Sequence, residues 1–268
     1  MSGGGRFAGR RAVVTGASRG IGAGIAQRLA AEGAAVAIVA RTVDAHPTLP
    51  GSLTETAALL RGYGNAVALI AADLADGDDR ARIVPEAAEQ LGGPLDILVN
   101  NAAVYRPCPV EQISDDDIQR QVATNLVGPI LTCRSAIPLL RAAGGGNIVN
   151  TSSESTLHPF PMLSIYVATK AGLEAFGEVL AAELLDDDIR VTTLVQGLAV
   201  GPGGGPTDFE WDPDRMTEAF TLWTERGLMQ GTAGRSGGQD VADVADVHLY
   251  IVTRPRSQKL DRIHVRSF

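Results

Sequence analysis

The sequence predicts a single α/β domain, a doubly wound, mostly parallel sheet with helices on both faces, and three observations carry that prediction. Short apolar runs alternate with stretches of helical periodicity from Arg11 to Val265. A glycine-rich turn joins the first apolar run to the first helical stretch. The 268 residues, 45% of them hydrophobic, are enough for one large core and need no second domain.

In chain order, Ser2 to Gly5 reads as a tail and Arg11 to Thr15 as the first strand. Gly16-Ala17-Ser18-Arg19-Gly20-Ile21-Gly22 then opens a helix to about Glu32, whose apolar positions Ile21, Ile25, Leu29 and Ala30 fall near helical spacing. The spacing of Gly16, Gly20 and Gly22 is G-x-x-x-G-x-G. The first glycine permits a tight turn, the second a close approach by a diphosphate, and the third close packing of helix on strand; the helix N-terminus supplies the anion site. Val36 to Ala40 is the second strand, and no carboxylate stands at its end to bind ribose hydroxyls; Ala40, Arg41 and Thr42 stand there instead. Arg19 and Arg41 lie at the two expected edges of one adenosine pocket, where guanidinium groups suit a 2′-phosphate. Taken singly, each arginine is more often a solvated surface charge.

An irregular stretch, Val43 to Gly51 with Pro47 and Pro50, leads to a helix from about Ser52 to Arg61. Val67 to Ala71 is the third strand, a helix spans roughly Asp78 to Leu91, and Leu95 to Asn100 is a buried strand stopping at Asn101-Ala102-Ala103. Ser114 to Arg141 carries one or two helical segments, the break depending on Pro129. Asn147 to Thr151 is the next strand and ends in Ser152-Ser153; a long helix runs from Ser164 to about Leu185, and Ile189 to Val195 is the sixth strand. Gly201 to Pro206 interrupts regular structure, helical character returns from Asp214 to about Gly227, and residues 201–230 are expected to form a substrate lid within the one domain. A helix over Asp240 to Thr253 and a strand over Leu260 to Val265 complete the chain.

With 23 basic and 31 acidic side chains the net charge is −8, which argues against a broad nucleic-acid or anionic-membrane surface. Cys108 and Cys133 have no disulfide framework or metal-ligand spacing, and the histidines are scattered, so no metal is expected. No secretory signal or bilayer-length apolar run is evident, and a cytoplasmic location is the expectation.

Tyr166-Val167-Ala168-Thr169-Lys170 places a phenol and an ammonium four residues apart on one helical face, where the ammonium is expected to favour the phenolate. Ser153, thirteen residues before Tyr166 at a strand's carboxyl end, is positioned to donate to a carbonyl oxygen on which charge develops. With the N-terminal fingerprint, these residues make the chain resemble the classical short-chain dehydrogenase/reductase family over nearly its whole length. Thr15 to Gly22, Asp73, Asn100 to Ala103, Asn125, Ser153, Tyr166 and Lys170 match its motifs in order. The resemblance implies a Rossmann-like fold and a catalytic set of Asn125, Ser153, Tyr166 and Lys170. In it Tyr166 is the acid or base and Ser153 orients the substrate oxygen; Lys170 lowers the phenol's pKa and binds the nicotinamide ribose, and Asn125 holds a water that joins Lys170 to solvent. It also implies a cofactor site of Gly16, Ser18, Arg19, Gly20, Ile21, Gly22, Arg41, Asp73, Leu74, Asn101, Ala102, Ala103, Tyr166, Lys170 and Gly197. With the two arginines, the cofactor expected is NADP(H), and the family habit implies a homodimer or homotetramer.

Three departures stand against the family pattern: Ala103 where a glycine is usual, Gln196-Gly197 where proline-glycine is usual, and a C-terminus of Ile263 to Phe268 without the usual aspartate-glycine-glycine. The expected reaction interconverts a carbonyl and an alcohol of a medium-sized apolar small molecule, and Ser153, His158, Tyr166, Trp211 and Phe220 are the expected substrate contacts. Leu157, Phe160, Pro161, Met162, Phe209, Met216 and Trp223 supply further apolar surface, which plain packing of the lid explains equally well. The competing readings are a nucleotide-dependent epimerase or dehydratase, and a catalytically silent nucleotide-binding protein.

Overall fold

The structure is a computed structural model that describes residues 5–45, 47, 49–158, 160–201, 212–229 and 238–267. Its centre is a seven-stranded sheet of β1 (Arg11–Thr15), β2 (Ala35–Ala40), β3 (Val67–Ala71), β4 (Ile97–Asn100), β5 (Gly146–Ser153), β6 (Ile189–Gln196) and β9 (Arg262–Val265). The spatial order is β3-β2-β1-β4-β5-β6-β9, and every neighbouring pair is parallel. A separate parallel pair joins β7 (Ala199–Val200) to β8 (Gln239–Asp240).

Strand alternation assigns side chains to the two faces. On β1 and β2, Ala12, Val14, Val36 and Ile38 pack in one apolar cluster, whereas Val13, Ala37 and Val39 pack in the other. The first cluster is covered by α1 (Gly20–Ala31), α2 (Leu53–Arg61) and α8 (Val241–Val252). The second is covered by α3 (Gly77–Gln90), α5 (Gly128–Ala142) and α6 (Ser164–Glu183). Both sheet faces are therefore buried, which is why the central strands read as continuous apolar runs.

The stretch around Pro129 is one helical path in three parts. α4 (Asp115–Val122) passes into a π-helical turn at Ala123–Val127, and α5 follows. Pro129 sits in the first turn of α5, where its missing N–H costs little. α7 (Pro213–Glu225) is the described part of the expected lid. No helix among the described residues is long and apolar enough to cross a membrane.

The chain order reverses between β1 and β4: β2 and β3 lie on one side, and β5, β6 and β9 on the other. At such a switch point the connections leave in opposite directions and open a crevice at the carboxyl ends of the strands. The expected site residues converge there.

Candidate active site

The cleft at the switch point encloses about 330 Å³. The turn Gly16–Gly22 and Arg41 line one end; Asp73, Leu74 and Asn101–Ala103 line its middle; Ser153, Tyr166, Lys170 and Gly197 line the other end. Phe220, Trp223 and Met229 lie over the last group.

The glycine turn has the geometry a diphosphate needs. Gly16 and Gly20 have φ of 69° and 55°, in the left-handed region that favours glycine. A Cβ on Gly22 would stand 2.2 Å from the Gly16 carbonyl oxygen, so helix and strand approach as closely as backbones can. The N-cap of α1 is Arg19, whose side chain makes no capping bond, and the first turn of α1 holds no acidic residue. In α2, α3, α4, α7 and α8 the capping Ser or Asp side chain accepts from the first turn. The uncapped donors of α1 suit an anionic group, and with the glycine turn they fit a dinucleotide diphosphate.

Arg19 does more than face the ribose end. Its guanidinium donates to the carbonyls of Pro50 (2.9 Å) and Gly51 (3.1 Å) and so ties the fingerprint turn to the loop before α2. Arg41 is exposed at the rim of the cleft. The Asp73 carboxylate accepts from the Ala75 amide (2.8 Å) and pairs with Arg120 (3.0 Å), which fixes the β3 end of the cleft. Asn101 donates to the Thr15 carbonyl (3.0 Å), and the Thr15 hydroxyl accepts from the amides of Asn101 and Ala102 at 3.1 Å each. Among the described non-glycine residues positive φ occurs at Met162 and Asp188, so Ala103 stands in a conformation open to alanine and this family departure costs nothing.

The chemical end brings together side chains from β5 and α6. The Ser153 hydroxyl accepts from the Ser155 amide (3.2 Å) and from the Ser155 hydroxyl (3.0 Å), which leaves its own proton to donate. It hydrogen bonds to Tyr166. Lys170 is 2% exposed, donates to the Thr151 carbonyl (2.7 Å) and has its Nζ 5.8 Å from the centre of the Tyr166 ring. Burial pulls its ammonium down to about 8, opposed by the charge of Glu174.

Tyr166 departs from expectation. Burial pushes the phenol up to about 12, and the bond to Ser153 opposes the rise. The Lys170 ammonium gives its bond to the Thr151 carbonyl, and loss of solvent sets the direction of the phenol's shift. The Asn125 side chain is engaged with protein partners. Fully buried in the π-helical turn, it accepts from the Val104 amide (2.8 Å) and donates to the Val104 carbonyl (2.7 Å) and the Thr169 hydroxyl (3.2 Å). The amide therefore fastens the loop after β4 to α6.

Of the expected substrate contacts, Ser153, Tyr166 and Phe220 line the cleft. His158 does not: the 3-10 turn Glu154–Thr156 leaves it exposed, with its Nε2 3.9 Å from the Glu154 carboxylate. Trp211 lies outside the described residues. Residues not foreseen include Tyr105, whose ring centre is 5.3 Å from that of Tyr166, and Leu163 and Glu154. A charged residue directly after Ser153 at a buried strand end is the signal that could have marked Glu154.

A crevice at a topological switch point, with a glycine turn at one end and a serine, a tyrosine and a lysine at the other, fits a nicotinamide-dependent oxidoreductase. The short chain dehydrogenase family matches residues 10–208, and the chain belongs to the short-chain dehydrogenase/reductase family. An uncharacterized oxidoreductase of Methylorubrum extorquens is 34% identical over 249 residues, 92% of each chain. L-Sorbose reductase from Gluconobacter frateurii, complexed with NADPH and L-sorbose, is 28% identical with a TM-score of 0.80, covering 98% of this chain and 97% of its own. A short chain dehydrogenase from Mycobacterium paratuberculosis bound to NAD is 27% identical with a TM-score of 0.82, covering 98% of each chain. The protein is thus similar to enzymes holding either dinucleotide, and its class is that of NAD(P)(H)-dependent oxidoreductases acting on small molecules.

Proposed function

We propose that this chain is an NADP(H)-dependent oxidoreductase that reversibly interconverts a carbonyl and an alcohol on a medium-sized, largely apolar molecule. The observation that carries the reading is the meeting of Ser153, Tyr166 and Lys170 under an apolar roof at one end of the cleft. Phe160, Phe220 and Trp223 form that roof, with ring centres 5.4 and 5.2 Å from Trp223, and the Trp223 indole donates to the Pro161 carbonyl (2.8 Å). These rings belong to the same packed cluster as Tyr166, which supports an apolar substrate end.

The bound dinucleotide supplies hydride exchange, and the glycine turn, Asp73, Asn101 and Lys170 are the residues that would hold it. The protein's own task is the oxygen. The Ser153 hydroxyl, which lines the cleft beside Tyr166, would donate its proton to a bound carbonyl oxygen, where charge develops. The buried phenol of Tyr166 is protonated at neutral pH and would give its proton to the oxygen in reduction and take it back in oxidation. The ammonium of Lys170, charged below about pH 8, stabilises the phenolate left behind. Arg41 and Arg19 at the ribose end, with neutral Ala40 between them, support a preference for the 2′-phosphate.

The test is a carbonyl panel assayed with NADPH and product identification. One NADPH consumed for each carbonyl reduced is expected, and Tyr166→Phe should retain dinucleotide binding while losing turnover. Product formed without net NADPH consumption would favour an epimerase or dehydratase. Binding without turnover across the panel would favour a silent nucleotide-binding protein. We also propose a homodimer: α6 leaves Val179 61% exposed and Leu185 just beyond its end is 65% exposed, apolar surface that a second copy would cover. Light scattering at the mass of one subunit would refute it.

A further inference from the structure

Glu174 lies one helical turn beyond Lys170 on α6, on the same face, and is 7% exposed. A buried carboxylate demands partners, and this one has them from three segments. Its Oε1 accepts from the Ser152 hydroxyl (2.6 Å) at the end of β5 and from the Thr156 hydroxyl (2.7 Å) in the 3-10 turn. Its Oε2 pairs with Arg262 of β9 (2.7 Å). Thr156 is also 2.9 Å from the Ser153 carbonyl oxygen, so the carboxylate grips the chain on both sides of Ser153.

We propose that Glu174 is a positioning residue for the reaction: its carboxylate locks the Ser153 segment to the helix that carries Tyr166 and Lys170, and its charge keeps Lys170 an ammonium. The proposal rests on the reading that Lys170 acts as a cation, and it adds what maintains that cation. The need is physical. Lys170 is buried and its bond is to a neutral carbonyl, an arrangement in which desolvation favours the uncharged amine. Burial lowers Lys170, and the charge of Glu174 opposes that lowering. The other ionisable groups facing this pair are Tyr166 on the same helix, Glu154 in the 3-10 turn and Arg262 on β9. The π turn offers uncharged Asn125, bonded to Thr169, and β6 offers uncharged Thr193 beside Gly177. On α4, Asp117 pairs with Arg106 and Arg120 with Asp73, while Asp115 and Asp116 face solvent; beyond α6, Asp187 pairs with Arg141.

The sequence offers a direct readout, because it contains only two lysines, Lys170 and Lys259. Protein labelled with [13Cε]lysine gives two side-chain signals, and Lys259, on the surface beside Asp261, is separated by the Lys259→Arg variant. The pH titration needs neither cofactor nor substrate, so it stands apart from the outcome of any turnover assay. Glu174→Gln keeps an acceptor for Ser152 and Thr156 but removes the charge, and the Lys170 midpoint should fall by about one pH unit. Arg262→Gln removes the cation that neutralises Glu174, and the midpoint should rise. In NADPH titrations followed by fluorescence, the alkaline loss of affinity should move the same way in each variant. A midpoint unchanged in Glu174→Gln, or moved in the same direction in both variants, overturns the proposal. If Glu174→Gln does not fold, the direction seen in Arg262→Gln decides.

Discussion

The buried histidine of α8 makes a quantitative prediction about acid stability. His248 is 1% exposed; its Nδ1 lies 2.9 Å from the Val244 carbonyl oxygen and its Nε2 3.1 Å from the Thr151 hydroxyl. A carbonyl only accepts, so Nδ1 carries the proton and Nε2 accepts from Thr151. That tautomer leaves no place for a second proton, and burial pulls the imidazole from its ordinary 6.5 down to about 4, opposed by the Val244 bond. The sign follows by linkage. Between pH 6.5 and 4 the unfolded chain takes up a proton that the folded chain refuses, so stability is full above 6.5 and is lost as pH falls towards 4. The displacement is worth about 3 kcal/mol, a large part of the roughly 5–15 kcal/mol that holds a domain together. The matched variant is Thr151→Val with His248→Leu, which removes both polar partners and leaves none unsatisfied. Urea unfolding at pH 7 and pH 4 measures the loss in each protein, and other titrating groups cancel in the comparison. The wild type should lose about 3 kcal/mol more than the double variant. Equal losses would show that His248 is protonated in the folded state and refute the tautomer assigned here.

Three further predictions concern the dinucleotide. Arg41→Ala should lower kcat/KM selectively for NADPH, by about ten- to a hundredfold. Arg19→Ala should weaken both cofactors because its bonds to Pro50 and Gly51 also hold the fingerprint loop; measuring both ratios for wild type and variants checks this, and equal losses for the two cofactors in Arg41→Ala would refute the clamp. Gly22→Ala, whose new Cβ would meet the Gly16 carbonyl at 2.2 Å, should abolish dinucleotide binding by calorimetry, and retained wild-type affinity would show that helix and strand have room to part.

The strands, the glycine turn and the Tyr166–Lys170 pair were legible because each depends on local spacing: alternation on β1 and β2, left-handed glycines, and an i,i+4 helical face. His158 was misplaced because one 3-10 turn, which follows no strong period, decides which way a side chain five residues after Ser153 points. Burial is likewise a tertiary property. Sequence adjacency set Lys170 beside Tyr166, but the depth of the phenol and the Thr151 carbonyl that takes the ammonium's bond come from β5. The hydroxyl partners of Glu174 and His248 lie 18 to 97 residues away, beyond the reach of any local pattern.

Two departures from the family pattern meet at one corner of the cleft, and their geometry explains them together. Gly197, which follows Gln196 at the end of β6, donates its amide to the Val265 carbonyl (2.8 Å) on the last strand. A Cβ there would stand 2.8 Å from the Glu154 carboxylate and 3.0 Å from the Arg266 Cα, so only glycine lets the C-terminal strand, the Ser153 segment and the end of β6 close together. The Glu154 carboxylate thus sits between the wall of the cleft and the C-terminal segment, with His264 at 3.6 Å and Arg266 at 4.0 Å. In this protein the residues that replace the usual C-terminus are the ones that back the wall: Val265 by its carbonyl, and Arg266 by its charge opposite a buried carboxylate, with His264 beside it. Gln196 belongs to the same corner, buried at 8%, with its amide nitrogen 3.5 Å from the Gly197 carbonyl. Gln196, Gly197, Glu154 and the C-terminal segment thus meet at one corner, so both departures from the family pattern fall in one packed unit.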